Sequence, residues 1–245
     1  MPTDVDLSAS AFLARLRAEA TEEQRVAYRR YFPGDESFIG VRMGTVFAIA
    51  KEFLAMPTVE IEALLESPVH EARAGACSVM GKAATHKKVT PQRHEDLVEL
   101  YLRRHDRIDD WDLVDLAAYQ VVGTWLLERP RDRLYHLARS DFWPERRSAI
   151  VATAAFLGRG QVHDTLAISR LLLDDDHPLV HKGAGWMLRY AGDADRPAFL
   201  AFLDELAPAM PRAMLRAAVE KLAPDERRHY LAANRTHGPT TSSRQ

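Results

Sequence analysis

One cysteine, Cys77, stands in the 245-residue chain, so no intrachain disulfide can form and a thiolate zinc site lacks ligands. It lies between Ala76 and Ser78 in a helical stretch, where a free cysteine behaves as a small hydrophobe and is expected in the core. No apolar run approaches the roughly 20 residues that span a bilayer. The opening Met1-Pro2-Thr3-Asp4-Val5-Asp6 has neither the basic nor the apolar region of a secretory signal. No membrane partner and a cytoplasmic location are therefore expected. The sequence contains no HExxH helix, no P-loop and no dinucleotide fingerprint. Its ten histidines are scattered without ligand spacing, so no metal and no other cofactor are expected. Asp174-Asp175-Asp176-His177-Pro178 reads as a capping loop ahead of a proline-initiated helix rather than as a metal site. An excess of positive charge is also lacking: 33 Lys and Arg face 35 Asp and Glu, a net charge of -2. That argues against bulk nucleic-acid binding, but not against a basic face on an otherwise acidic body.

Helix-forming pattern is abundant, and no segment alternates as a strand does. Apolar residues recur at three- and four-residue spacing, as with Phe12, Leu13 and Leu16, and prolines stand at helix starts. The expected helices cover 21–31 with Thr21 as N-cap, 41–54 after a turn at 33–37, 59–65, 70–84, 93–104 and 111–128. They continue over 132–138, 145–157, 162–172, 179–190, 195–206, 211–222 and 224–233. Pro144, Pro178 and Pro211 recur at the period of a two-helix repeat. Stacked pairs bury the face that each leaves open, so an all-α, curved right-handed α-solenoid with a concave surface is expected, ahead of a helical bundle. It is expected as one domain over 1–235, with 236–245, rich in Thr, Ser and Gly, as a disordered tail.

Repeats alone do not define function. The distinctive segment is Asp110-Trp111-Asp112-Leu113-Val114-Asp115, because Trp111 and Asp115 share a helix face. A tryptophan alone is most often core. Asp115, set among Leu113, Val114, Leu116, Ala117 and Ala118, either points outward or occupies a costly partly buried position. Asp109 and Asp110 read as N-cap and first-turn acids. Arg147 opens an apolar helix, either as a solvated or ion-paired arginine or as a bidentate phosphate anchor. Trp186 shares its face with Lys182 and Arg189, and a ring between two cations suits a phosphate–sugar backbone. Gly183, Ala184 and Gly185 permit close helix packing or close approach of another molecule. Arg29-Arg30, Arg103-Arg104-His105 and Arg227-Arg228 read as solvated faces or helix ends.

Four segments together resemble the AlkD-like DNA alkylation-repair glycosylases. They are Phe38-Ile39-Gly40-Val41-Arg42, Trp111-Asp112-Leu113-Val114-Asp115, Arg147-Ser148-Ala149-Ile150 and Lys182-Gly183-Ala184-Gly185-Trp186-Met187-Leu188-Arg189. The resemblance runs from about Phe38 to Leu222. It implies a HEAT-like repeat solenoid whose concave face cradles duplex DNA, with catalytic Asp115, active-site Trp111 and Trp186, and phosphate-binding Arg147. Arg146, Lys182, Arg189, Arg42 and Arg216 are the further DNA-binding cations expected. After Val41 this chain has Arg42-Met43-Gly44-Thr45, where the family commonly has a proline and then an arginine.

A purine alkylated at N3 or N7 is already cationic and leaves as a neutral base. The two-carboxylate arrangement of glycoside hydrolases is then unnecessary, and one carboxylate can steady the oxocarbenium-like sugar and place a water. The resemblance implies excision without a base-flipping pocket, on double-stranded DNA carrying alkylated purines, by a monomer. The alternatives are a non-catalytic binder of bent or branched DNA and a protein-interaction scaffold.

Overall fold

The computed structural model describes residues 6–30 and 37–233, and among these every regular element is helical. The turn expected before residue 37 and the tail expected at 236–245 lie outside the described residues. The chain divides into two compact units, Met1–Trp125 and Leu126–Gln245.

The first unit contains α1 (Ala9–Ala18), α2 (Glu22–Tyr28), α3 (Met43–Glu52), α4 (Thr58–Leu65), α5 (His70–Ala84), α6 (Pro91–Arg103) and α7 (Trp111–Ala118). The starts are set by side-chain caps. Ser8 accepts the Ala11 N–H, Thr21 that of Gln24, and Thr90, followed by Pro91, that of Arg93. Each such cap contributes about 1 kcal/mol. At the centre is α5, of whose fifteen residues fourteen are buried. Its sequence of Ala, Gly, Ser and Cys lets neighbours approach on all sides, and Cys77 is 0% exposed, as its setting implied. Helices α3, α5 and α7 run parallel. The start of α5 meets the start of α7 through His70 and Asp112, and Gly81 near its end meets Leu116 and Gln120.

The helix expected over 111–128 ends at Ala118 and widens into a π-helical turn, Tyr119–Gly123, before a 3-10 turn at Leu126–Glu128. The cause lies on α6: His94 Nε2 donates to the Val121 carbonyl at 2.9 Å, while Thr124 Oγ1 donates to the Gln120 carbonyl at 2.5 Å. Both bonds draw carbonyls out of the i→i−4 ladder, in a Val121-Val122-Gly123-Thr124 run of low helix propensity.

The second unit contains α8 (Asp132–Leu137), α9 (Trp143–Ala152), α10 (Ala154–Leu157), α11 (His163–Leu171), α12 (Pro178–Ala194), α13 (Arg196–Leu206), α14 (Arg212–Ala218) and α15 (Pro224–Ala233). The expected single helix over 145–157 breaks at Thr153, whose buried hydroxyl donates to the Ile150 carbonyl at 2.7 Å. Helices α9, α12 and α14 run parallel. The starts of α9 and α12 meet at Trp143 and His177, and Gly185 of α12 lies against the Met214 carbonyl of α14. A Cβ there would approach that oxygen to 2.3 Å, so the small residues before Trp186 serve helix packing.

Candidate active site

In the first unit, the acids around Trp111 have distinct tasks. Asp110 caps α7, its Oδ1 accepting the Trp111 N–H at 2.6 Å, and burial lifts its carboxyl above the usual carboxylate range. Asp109 is not a first-turn acid but pairs with Arg73 of α5 at 2.5 Å. Asp112 accepts from the Leu113 N–H and lies 2.7 Å from Nε2 of His70, which is 1% exposed. Asp109 and Asp112 fix the start of α7 to α5, and Asp110 caps it. Asp115 is half-buried one turn on, between the exposed Trp111 and the exposed Tyr119 along one stripe at four-residue spacing. Tyr119 was legible from that spacing and was missed.

The Phe38–Val41 segment acts on the same frame. The Phe38 ring lies between Tyr28 and His70, with centroids 4.5 and 4.3 Å away. Glu71, fully buried at the start of α5, accepts the backbone N–H groups of Ile39, Gly40 and Val41 at 2.8–3.1 Å. Gly40 has φ +95, and a Cβ there would come within 2.1 Å of the Thr21 carbonyl, so only glycine fits. Tyr28 donates to the Val41 carbonyl at 2.8 Å, and burial pushes its phenol up to about 12. This segment therefore positions His70, and through Asp112 the helix that carries Trp111 and Asp115. His70 and Glu71 gave no signal at sequence level, because their partners are 31 and 42 residues away.

In the second unit, two adjacent arginines of α9 diverge. Arg146 is bidentate to Asp175 at 2.6 and 3.0 Å, and reaches Asp176 and the Ser140 and Asp141 carbonyls. The loop read as a capping loop thus supplies Asp175, which also accepts the His177 N–H at 2.8 Å. Trp143 stacks on His177 at 4.2 Å and 6°, and burial lowers the His177 pKa. Arg147, by contrast, is only 4% exposed and donates to the Leu179 carbonyl at the start of α12. Gly183, one turn on, leaves the space for its guanidinium.

Trp186 is half-buried on α12 beside Tyr190, with ring centroids 5.8 Å apart. Tyr190, 40% exposed, is a second aromatic that the sequence reading passed over. Arg189 packs over the Tyr190 ring and is ion-paired with Glu220 of the segment after α14. Among the expected cations, Arg42, Lys182 and Arg216 are exposed and have no carboxylate partner among the described residues, whereas Arg146 and Arg189 are engaged internally. Arg104 and His105 stand at the end of α6, as the helix-end reading has it, but are not solvated. The Arg104 side chain is 12% exposed and pairs with Glu62, Glu66 and Asp106, and His105 is buried.

Among the described residues no group of His, Cys, Asp or Glu side chains could hold a metal, and no helix is long and apolar enough to cross a membrane. No curated protein matches the chain. The family model for the DNA alkylation repair enzyme does match, over residues 12–222, a span that includes both the α7 stripe and the α9–α12 cluster. The chain accordingly belongs to the DNA alkylation repair enzyme family.

Proposed function

We propose that the protein is a DNA glycosylase that hydrolyses the N-glycosidic bond of N3- or N7-alkylated purines in duplex DNA. The observation that carries this reading is the α7 stripe: a half-buried carboxylate, Asp115, one turn past an exposed tryptophan, on a helix whose start is locked by His70 and Asp112. The helix pairs within each unit are read as HEAT-like repeats. The protein is read as working on DNA as a monomer.

The C1′–N bond breaks with its electron pair going to the cationic purine, which leaves neutral. The sugar passes through an oxocarbenium-like state. Asp115 faces that positive charge, orients a water toward C1′ and accepts the proton the water loses. A carboxylate about 4 Å from the developing cation contributes about 4 kcal/mol at an effective dielectric of about 20, equivalent to a rate factor of about a thousand. Trp111 offers a ring face to the cation, at about 0.5–2 kcal/mol. In the second unit, Trp186 offers a ring face to a sugar of the duplex. Arg147, buried against the Leu179 carbonyl, holds the start of the helix that presents Lys182 and Trp186, and the exposed Lys182, Arg42 and Arg216 neutralise flanking phosphates. Selectivity then follows lesion charge and lability more than base shape.

The deciding experiment is release of 7-methylguanine from duplex DNA. Wild type is expected to release it and Asp115→Asn to lose about a thousandfold in rate while still binding DNA. Undiminished release by Asp115→Asn would remove Asp115 from the reaction.

A further inference from the structure

The one residue of α5 that is not buried is Lys82. Its Nζ lies 2.5 Å from Ser78 Oγ and 5.2 Å from the centre of the Phe47 ring on α3. Lys51 is four residues past Phe47 and so shares its face of α3, which places it beside the ring that Lys82 covers. Burial, and then the charge of Lys51, lower the Lys82 pKa. The chain continues through His86, Lys87 and Lys88 to Arg93, with no acid between residues 82 and 93. A cavity of about 360 Å³ opens there, lined by His86, Lys88, Thr90 and Arg93 on its polar side and by no acid.

The charge distribution of the whole chain sets this region apart. The six lysines are at 51, 82, 87, 88, 182 and 221, and four of them are here. None of those four pairs with a carboxylate among the described residues. Several exposed arginines elsewhere do pair, as in Arg15–Glu52, Arg170–Glu205 and Arg196–Glu226, although Arg42 and Arg216 do not among the described residues. A single cation in the last turn of α5 suffices to complement its dipole. Lys87 and Lys88 lie beyond that helix and need another explanation.

We propose that this end of the first unit, built from Lys51, Lys82, His86, Lys87, Lys88 and Arg93, is a binding site for the backbone phosphates of duplex DNA. It rests on the DNA reading given above and is separate from the Trp111–Asp115 stripe. From His70, which marks the start of α7, to Lys82 is twelve residues of α5, a rise of about 18 Å. The site therefore grips the duplex away from the reacting nucleotide. Lysine suits that role, because a compact ammonium on a flexible stem meets phosphates without demanding one geometry. Such contacts carry no sequence information and fix register instead.

The test is titration of an undamaged duplex over a range of salt with wild type and Lys51→Ala/Lys87→Ala/Lys88→Ala, whose three lysines are exposed. A control, Arg15→Ala/Arg170→Ala/Arg196→Ala, removes the same formal charge from ion-paired sites. The lysine variant is expected to bind at least tenfold more weakly at low salt, with a salt slope shallower by about 2.7. The control is expected to keep the wild-type slope. Equal affinity and slope for wild type and the lysine variant overturn the proposal and leave the glycosylase reading standing. Equal losses in the lysine variant and the control also overturn it, because bulk charge then explains the effect. Failure of wild type to bind duplex at any salt overturns the DNA reading itself and this site with it. Phosphatidylserine vesicles form a further arm. Vesicle binding lost in the lysine variant, with duplex binding intact, reassigns the site to a membrane surface.

Discussion

Gly183 and Arg147 are fitted to one another: a Cβ on Gly183 would stand 3.0 Å from Arg147 Nη1 and 3.5 Å from its Cζ. The missing side chain on α12 is what lets a guanidinium from α9 reach the Leu179 carbonyl. Alanine in place of this glycine favours the helix by up to about 1 kcal/mol, but pushes against the flexible end of Arg147. Gly183→Ala is therefore expected to melt at or above the wild-type temperature while losing severalfold in base release and duplex affinity. Unchanged activity in a stable variant would show that the placement of Arg147 does not matter.

The bond between His70 and Asp112 holds the helix start beneath Trp111. Asp112→Ala removes an acceptor from a ring that is 1% exposed, a loss of about 1–3 kcal/mol. Asp112→Asn keeps an acceptor oxygen and is expected to lose less on both measures. Melting temperature read beside base release checks this: activity should fall further than stability, because Asp115 rides on the same helix. A proportionate loss of both would make the bond a stabilising one only.

Asp110 offers a pH test whose sign is fixed. Its folded-state pKa is raised by burial above the ordinary value of 3.8, so its contribution to stability is fully present below that value and is lost as pH rises through the folded-state pKa. Asparagine caps a helix as well as aspartate does and carries no charge to bury. Asp110→Asn is expected to melt at or above wild type at neutral pH, with the difference disappearing below pH 3.8. A variant less stable than wild type at neutral pH would mean that the carboxylate charge itself supports the cap.

The cations separate into two groups with opposite expected phenotypes. Arg146→Ala strands Asp175, whose side chain is 2% exposed, and is expected to destabilise by about 3–5 kcal/mol. Lys182→Ala/Arg216→Ala touches no ion pair among the described residues. It is expected to leave the melting temperature in place while the salt slope of duplex binding becomes shallower by about 1.8. Thermal melting and a salt titration of each variant decide between these assignments, and a stable Arg146→Ala with a shallower slope would return Arg146 to the DNA surface.

Where a helix began was largely legible, because the signals are local. Thr21, Thr90 and Asp195 cap, and Pro91, Pro144 and Pro178 stand at the first or second position of their helices. The extents 70–84 and 224–233 match the expectation at both ends. Where a helix changed form was not legible, since the π turn depends on His94, 27 residues before the carbonyl it takes. The same holds at the candidate site. Trp111 and Asp115 were visible as a pair on one face. Arg146 and Arg147, adjacent and alike in sequence, part company only because Asp175 captures one and Gly183 makes room for the other.

The three amides of Ile39, Gly40 and Val41 converge as a receptor for an anion does, and Glu71 fills that receptor from within the chain. A tethered occupant does not exchange with solvent, so phosphate or nucleic acid cannot compete for these amides. Truncating the occupant makes the receptor available again. Glu71→Ala should thus become a protein whose melting temperature rises with added acetate or formate, a small-molecule dependence that the wild type lacks.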